Sequence, residues 1–416
     1  MTEHNKPVRE FSHTLGLVKS VVNHSEEKLP AIKASNCQFS ISFFGNISES
    51  ADIWDLIVES AQFADQQGFE ALWLPERHFS AFGGFSPNPA LLAAAVARQT
   101  KRLRLCAGSC VLPLHHPARV AEEWALVDQL SGGRTGVAFA SGWHVHDFIF
   151  QPGTVLTKEK SGMEKGIEQN PTICGKAKAV TFEDGRNNPV EIRTFPQPVQ
   201  AEIPFWIAAL GNPETFAHAG RINAGILTNF IDQDLEKLSG NIEVYRRARA
   251  SADLDPNGGK ITVLIHTFLS ETCQAAIDIA RKPLTNYLAS SLKLSQKTLN
   301  AQAESIELSQ EDQDYLLASA VNRYIEKNAL IGSPEKALGL INALSQIGVT
   351  EIACFIDFGI DASTILKHLP HIAHLKQLHQ TQQKSLSRIL RQKTCGHRLH
   401  KLAKCQPQKT KSSWAC

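Results

Sequence analysis

An apolar run, Leu72-Trp73-Leu74, stops at Pro75 and is followed by Glu76, Arg77 and His78, which are a carboxylate, a fixed cation and an imidazole in consecutive positions. That set suits proton transfer, because an imidazole gives or takes a proton near neutral pH and a carboxylate can orient it. The plain alternative is an ion pair of Glu76 with Arg77 beside a structural histidine. Further along, small residues cluster at Ala107-Gly108-Ser109-Cys110, at Ala140-Ser141-Gly142-Trp143 and at Ala208-Ala209-Leu210-Gly211-Asn212. Such stretches let a flat or phosphate-bearing molecule approach the backbone closely. Asn212 followed by Pro213 reads as the cap and first residue of a helix, whose N-terminal amides favour an anion. The Ser141 hydroxyl and the Gly142 amide could serve the same end. No GxGxxG or GxxxxGK[ST] pattern occurs, which disfavours a Rossmann site or a P-loop.

Two histidine-containing stretches raise the question of a metal. His144-Val145-His146-Asp147 puts alternate residues on one face of an extended segment, and Cys395, His397, His400, Cys405 and Cys416 crowd the end of the chain. Neither has the close paired ligand spacing of zinc modules, so no metal is expected. Cys106, Cys110 and Cys354 lie inside apolar runs and read as reduced core residues.

The elements that must position these groups alternate regularly. Apolar runs begin near residues 39, 70, 103, 134, 204, 225, 260 and 351, and patterns of helical period separate them. Eight such units predict parallel strands closed into a (β/α)₈ barrel, with a doubly wound open sheet as the alternative. In that barrel the C-terminal strand ends carry the chemistry, and Glu76-Arg77-His78 and the small-residue clusters are all strand ends. Residues 177–195 read as a hairpin around Asp184-Gly185, and 271–330 as added helices.

The 416 residues have 43 % hydrophobic and 20 % charged side chains, ordinary values for a globular chain with a sizeable core. No apolar run is long enough to cross a bilayer and the N-terminus lacks a secretory h-region, which predicts a cytoplasmic protein without a membrane partner. Residues 376–416 hold ten Lys or Arg and no acid, so the formal charge of +2 divides into +10 on this stretch and −8 elsewhere. The organisation expected is an extension at 1–37, a barrel domain at 38–375 and a basic, flexible tail at 376–416. With Trp414 as its one aromatic, the tail offers no base-stacking array, and no nucleic-acid partner is expected.

Four blocks in order, LWLPERHFSAFGGFSPNP, TKRLRLCAGSCVLPLHHPARVAEEWALVDQLSGGR, GVAFASGWHVHDF and PFWIAALGNPETFAHAG, resemble the bacterial luciferase-like family of flavin-dependent monooxygenases. The nearest likeness is to the subgroup associated with nonribosomal peptide and polyketide assembly lines. The resemblance spans roughly residues 39–375. It implies a barrel that takes reduced FMN (FMNH2) from a separate flavin reductase and uses it with O2. The substrate would be a secondary-metabolite intermediate tethered to a carrier protein, and the chain would form a homodimer. Gly108, Ser109 and Cys110 would lie beneath the flavin ring, with an unusual non-prolyl cis peptide at Ser109 and Cys110. Ser141, Gly142 and Trp143 would form one loop on the phosphate side, and Ala209, Gly211, Asn212 and Thr215 the other. Glu76-Arg77-His78 would face the reactive edge of the ring, His78 as acid/base, Arg77 as a fixed charge and Glu76 as the group that orients them.

Two departures limit what the resemblance carries over. Luciferases have a histidine where this chain has Arg77, and arginine is no general base, so light emission is not expected. The family's helix between Phe150 and Phe195 meets Gly162 and Pro171 here, which weaken a helix interior by about 1 and 3 kcal/mol. The alternatives are an F420-dependent oxidoreductase of the same fold and a non-catalytic assembly-line domain.

Overall fold

Apolar runs too short for helices and buried on both faces fold as parallel strands, and each returns through a helix that covers it. In the computed structural model the described residues are 29–31, 36–45, 52–80, 84–152, 159–170, 179–231, 233–299 and 310–403. The chain divides into Met1–Ala31 and Ile32–Cys416, and the description concerns the second unit. Its first half contains β1 (Gln38–Ser42), α1 (Asp52–Gln66), β2 (Ala71–Leu74), α2 (Pro89–Ala97), β3 (Arg104–Val111), α3 (Pro117–Ser131), β4 (Thr135–Ala140) and α4 (Glu159–Glu168). A hairpin follows, of β5 (Val180–Glu183) and β6 (Pro189–Ile192). Alternation resumes with β7 (Phe205–Ala209), α5 (Pro213–Arg221), β8 (Gly225–Asn229), α6 (Leu235–Ala250) and β9 (Ile261–Leu269). The chain then forms α7 (Cys273–Leu299), α8 (Gln310–Lys327), β10 (Leu330–Gly332), α9 (Pro334–Gln346), β11 (Glu351–Phe355) and α10 (Ala362–Ala403).

The ring runs β1-β2-β3-β4-β7-β8-β9-β11 and closes through β11 onto β1, with every pairing parallel. These are the eight strands that the periodicity predicts. The three-residue β10, which pairs with the end of β9, is too short to carry a period and was not expected. None of the described helices is long and apolar enough to cross a membrane.

Local signals set the helix starts. Asn88 and Asn212 each cap a helix whose first residue is proline, accepting from Ala90 N and Glu214 N respectively, both at 2.9 Å. Helix α4 forms although it contains Gly162, and it ends before Pro171. The compensation is packing. A Cβ on Gly166 would stand 2.8 Å from Leu112 Cδ2, so glycine is what lets α4 lie on the turn Leu112–Leu114 with Met163 and Ile167 buried. Helix α10 runs through residue 376, where the basic stretch begins, and Lys376 and His379 on it are buried.

The N-terminal end of the barrel is plugged. Trp73 and Trp206 meet edge to face at 5.1 Å, and glycines make room for them. A Cβ on Gly225 would lie 2.4 Å from Trp206 Cδ1, and one on Gly136 would lie 2.9 Å from Trp206 Cζ3. The buried Glu351 carboxyl of β11 links its strand to β1, β2 and β9, accepting from Ser40 Oγ at 2.5 Å, Trp73 Nε1 at 2.7 Å and Thr262 Oγ1 at 3.1 Å. With that end filled, open space remains at the opposite rim.

Candidate active site

At the C-terminal ends of the strands lies a cavity of about 1080 Å³. Gly108 and Ser109 on β3, Ala140 at the end of β4, and Ala208 and Ala209 on β7 give one side of it short side chains. Ser141, Gly142 and Trp143 continue the wall, followed by Asn212 and Thr215 at the start of α5. Eight residues singled out in the sequence are thereby brought together: Gly108, Ser109, Ser141, Gly142, Trp143, Ala209, Asn212 and Thr215. The non-prolyl cis bond joins Gly108 to Ser109, one residue earlier than expected.

Gly142 and Gly211 have φ of 89° and 96°, a region that only glycine enters without strain. A Cβ on Gly142 would come within 2.7 Å of the Phe148 ring. Gly211 does not itself line the cavity, but a Cβ there would press on Gln233, which does. Gln233 donates to Thr228 Oγ1 at 2.8 Å and to the Asn229 carbonyl at 2.9 Å, and accepts from Asn241 at 3.2 Å. Thr228 in turn donates to the Ala209 carbonyl at 2.6 Å. This chain of bonds fixes the 209–212 loop, and Gln233 and Asn241, which link it, did not stand out in the sequence.

Glu76, Arg77, His78 and Cys110 are absent from the cavity wall and lie buried behind it. His78 Nε2 is 2.9 Å from Glu76 Oε1, and the same carboxylate holds His115 at 2.5 Å and accepts from Val111 N at 2.7 Å. Burial opposes ionisation of Glu76, yet these partners outweigh it and hold the carboxyl below its ordinary range. Burial opposes the charge of His115, but its bond to Glu76 and the charges of Glu76 and Glu123 together raise it. The Cys110 thiol is pushed well up by burial and then by Glu76, and so stays neutral. His78 packs against Phe150 at 4.9 Å.

Arg77 pairs with Asp147 at 3.0 Å instead of with Glu76, and its guanidinium lies over the Trp143 ring at 4.8 Å. Through Trp143 it reaches the cavity indirectly. Its Nε and Nη2 have no hydrogen-bond partner among the described residues. His144 beside it is lowered to about 4 by burial, then by Arg77 and His146, and is therefore uncharged near neutrality. His144 and His146 pack edge to face at 4.9 Å and do not converge with Asp147 as a ligand set. The cysteines and histidines of the C-terminal stretch lie outside the residues whose side chains are described.

The far wall was not foreseen. Strand β9 contributes His266, β11 contributes Phe355, and helices α7 and α8 contribute Tyr287, Leu288, Ser291, Leu317, Ala320 and Tyr324. Arg323 and Lys327 are exposed and line the cavity as well, which puts two cations at its mouth. The one signal in the sequence was His266 itself, a lone titratable residue in the run ITVLIHTFL.

The donor set fits a flavin nucleotide: short side chains and an aromatic wall for a flat ring, hydroxyls of Ser109, Ser141 and Thr215 for polar groups, and cations with a helix N-terminus for a phosphate.

Comparison with known proteins agrees with this reading. The family described as luciferase-like monooxygenase matches residues 38–351. The oxygenase component of a flavin-dependent trigonelline monooxygenase from Acinetobacter baylyi is 27 % identical over 318 residues, covering 74 % of this chain and 84 % of that one. Among solved structures, the oxygenating constituent of 3,6-diketocamphane monooxygenase from Pseudomonas putida, in complex with FMN, superposes with a TM-score of 0.65 at 19 % identity over 81 % of this chain and 97 % of its own. A coenzyme F420-dependent tetrahydromethanopterin reductase from Methanopyrus kandleri gives 0.58 at 18 % identity over 82 % and 99 %. At those identities the structural likenesses establish the fold.

Proposed function

The chain belongs to the luciferase-like monooxygenase family, and from that premise we propose that it is the oxygenase component of a two-component system, using reduced FMN and O2 to oxidise a secondary-metabolite intermediate held on a carrier protein. The observation that carries the reading is the cavity at the strand ends, with its small-residue side flanked by the loops 140–143 and 209–215. A separate flavin reductase is the expected partner, in keeping with the trigonelline relative being named an oxygenase component.

Bound reduced flavin supplies two electrons and the activation of O2. The chain's own residues bind and shield it. Ser109 and the adjacent small residues would hold the ring, Ser141, Asn212 and Thr215 would hold its polar side chain and phosphate, and Arg323 and Lys327 would add positive charge at the mouth. Trp143 closes one wall, held by Arg77. A wall of Leu288, Leu317 and Phe355 keeps water from the reacting centre. Glu76, Arg77 and His78 sit behind the wall, so we assign them positioning roles: Arg77 on Trp143, and the Glu76–His78 pair on the 142–150 segment through Phe150.

The test is anaerobic titration with photoreduced FMN and, separately, with reduced F420, followed by mixing with oxygenated buffer. Tight binding of reduced FMN and oxygen consumption slower than that of free reduced flavin support the proposal. Preference for F420 without oxygen consumption would replace it with hydride transfer, and binding of neither would leave a non-catalytic domain.

A further inference from the structure

His266 is 1 % exposed, and its ring is clasped by Phe355 at 4.5 Å and Tyr287 at 4.7 Å. Its Nδ1 lies 2.7 Å from the Tyr324 hydroxyl. Its other nitrogen, Nε2, is buried and has no hydrogen-bond partner among the described residues, although the residue lines the cavity. Buried polar atoms in folded proteins are almost always partnered, and an orphan in a cavity wall is where a ligand atom supplies the missing bond. Burial lowers the imidazole to about 3, so it offers one neutral donor or acceptor and no charge.

The rings packed on His266 carry no charge, and the cations of α8, Arg323 and Lys327, stand at the mouth. Tyr287, Leu288 and Phe355 are aromatic or aliphatic, Ser291 and Tyr324 are uncharged, and all five line the cavity around His266 or on α7 and α8. We propose that this wall is the substrate subsite, shaped for an uncharged, largely apolar and aromatic molecule that carries a hydroxyl group bonded to His266 Nε2. The proposal rests on the flavin reading, since it assigns the opposite wall to the flavin. His266 then binds and orients the substrate, and Tyr324 holds the imidazole ring in place through Nδ1. A site that expects a hydroxyl discriminates against an analogue lacking one, because the imidazole nitrogen is again left without a partner.

The experiment uses the full chain loaded with FMN, the loading being measured first and on its own by quenching of flavin fluorescence. Equilibrium dialysis against 4-ethylphenol, ethylbenzene and 4-ethylbenzoate then compares a hydroxyl, no polar group and an anion on one apolar body. The expected result is a preference of about tenfold for 4-ethylphenol over each of the others, the size of one buried hydrogen bond. In His266→Phe that preference should vanish while FMN affinity is unchanged. Histidine ¹⁵N spectra of the wild type provide a measurement independent of any variant: 4-ethylphenol, and not ethylbenzene, should shift one imidazole nitrogen. Preference for 4-ethylbenzoate, equal binding of the three, no binding of any, or a preference that survives in His266→Phe overturns the subsite. Failure to bind FMN overturns the flavin reading instead, and the dialysis run on the flavin-free chain still decides the role of His266.

Discussion

The guanidinium of Arg77 lies 4.8 Å from the centre of the Trp143 ring while its Nη1 holds Asp147 Oδ2 at 3.0 Å, so one buried cation serves both a cavity wall and a buried acid. Removing it exposes what each partner owes to it.

Arg77→Gln leaves Asp147 buried without its countercharge, a change of about 3–5 kcal/mol in comparable cases. The variant should unfold at markedly lower denaturant than wild type. Arg77→Gln combined with Asp147→Asn should recover more than half of the loss, since no charge is then stranded. Denaturation midpoints of the four proteins in the cycle measure the coupling, and strict additivity of the two single effects would remove the pair as a stabilising unit.

Gly225→Ala should destabilise through overpacking, because the added Cβ falls 2.4 Å from Trp206 Cδ1 within a plugged barrel end. The expected loss is about 1–3 kcal/mol. Trp206→Phe in the same chain should relieve part of it, and thermal unfolding of the single and double variants will show whether the two residues compete for the same space.

Acidification should draw from His266 a loss of stability that a single variant separates from the losses of other shifted groups such as His144. The His266 imidazole, lowered by burial to about 3, binds its proton in the unfolded chain near pH 6.5 but not in the folded one. The unfolded state therefore takes up more protons between those values, and this contribution is fully present above pH 6.5 and lost as pH falls toward 3. Each pH unit in that window should cost the wild type about 1.4 kcal/mol that His266→Phe does not lose. Urea midpoints of both proteins at pH 7, 6 and 5 give the comparison, and parallel curves would mean that the imidazole titrates alike in the folded and unfolded states.

Thr215 and the cations of α8 bear on the phosphate. Thr215→Val, and separately Arg323→Gln with Lys327→Gln, should weaken FMN binding about tenfold and leave riboflavin binding nearly unchanged. The α8 variant should also flatten the salt dependence of FMN affinity. Equal losses for both flavins would move these residues away from the phosphate.

What the sequence made legible was what is encoded locally. The eight strands, the Asn212-Pro213 helix start and the small-residue strand ends each depend on a few neighbouring residues, and the cavity forms where those ends meet. Glu76 and His78 are two positions apart, so their contact could be expected. Arg77 looked like the partner of Glu76, but its true partner is 70 residues further on, and His115, which also holds Glu76, is 39 away. His266 and Tyr324 are 58 residues apart on elements with no shared pattern, which is why a whole cavity wall went unseen. Helix α10 crosses residue 376 because a change in charge composition does not by itself end a helix.

The cavity's two walls also have separate histories open to them. The small-residue wall is spread over strand ends from residue 108 to residue 229, and altering it would disturb the barrel itself. Tyr287, Leu288, Ser291, Leu317, Ala320 and Tyr324 come from one continuous stretch carried on two helices outside the ring. Exchanging that stretch alone, by recombination between relatives or by library selection, is a route to new chemical preferences that leaves the strand-end wall and the barrel intact, provided that Arg323, which lies within it, is kept for the phosphate.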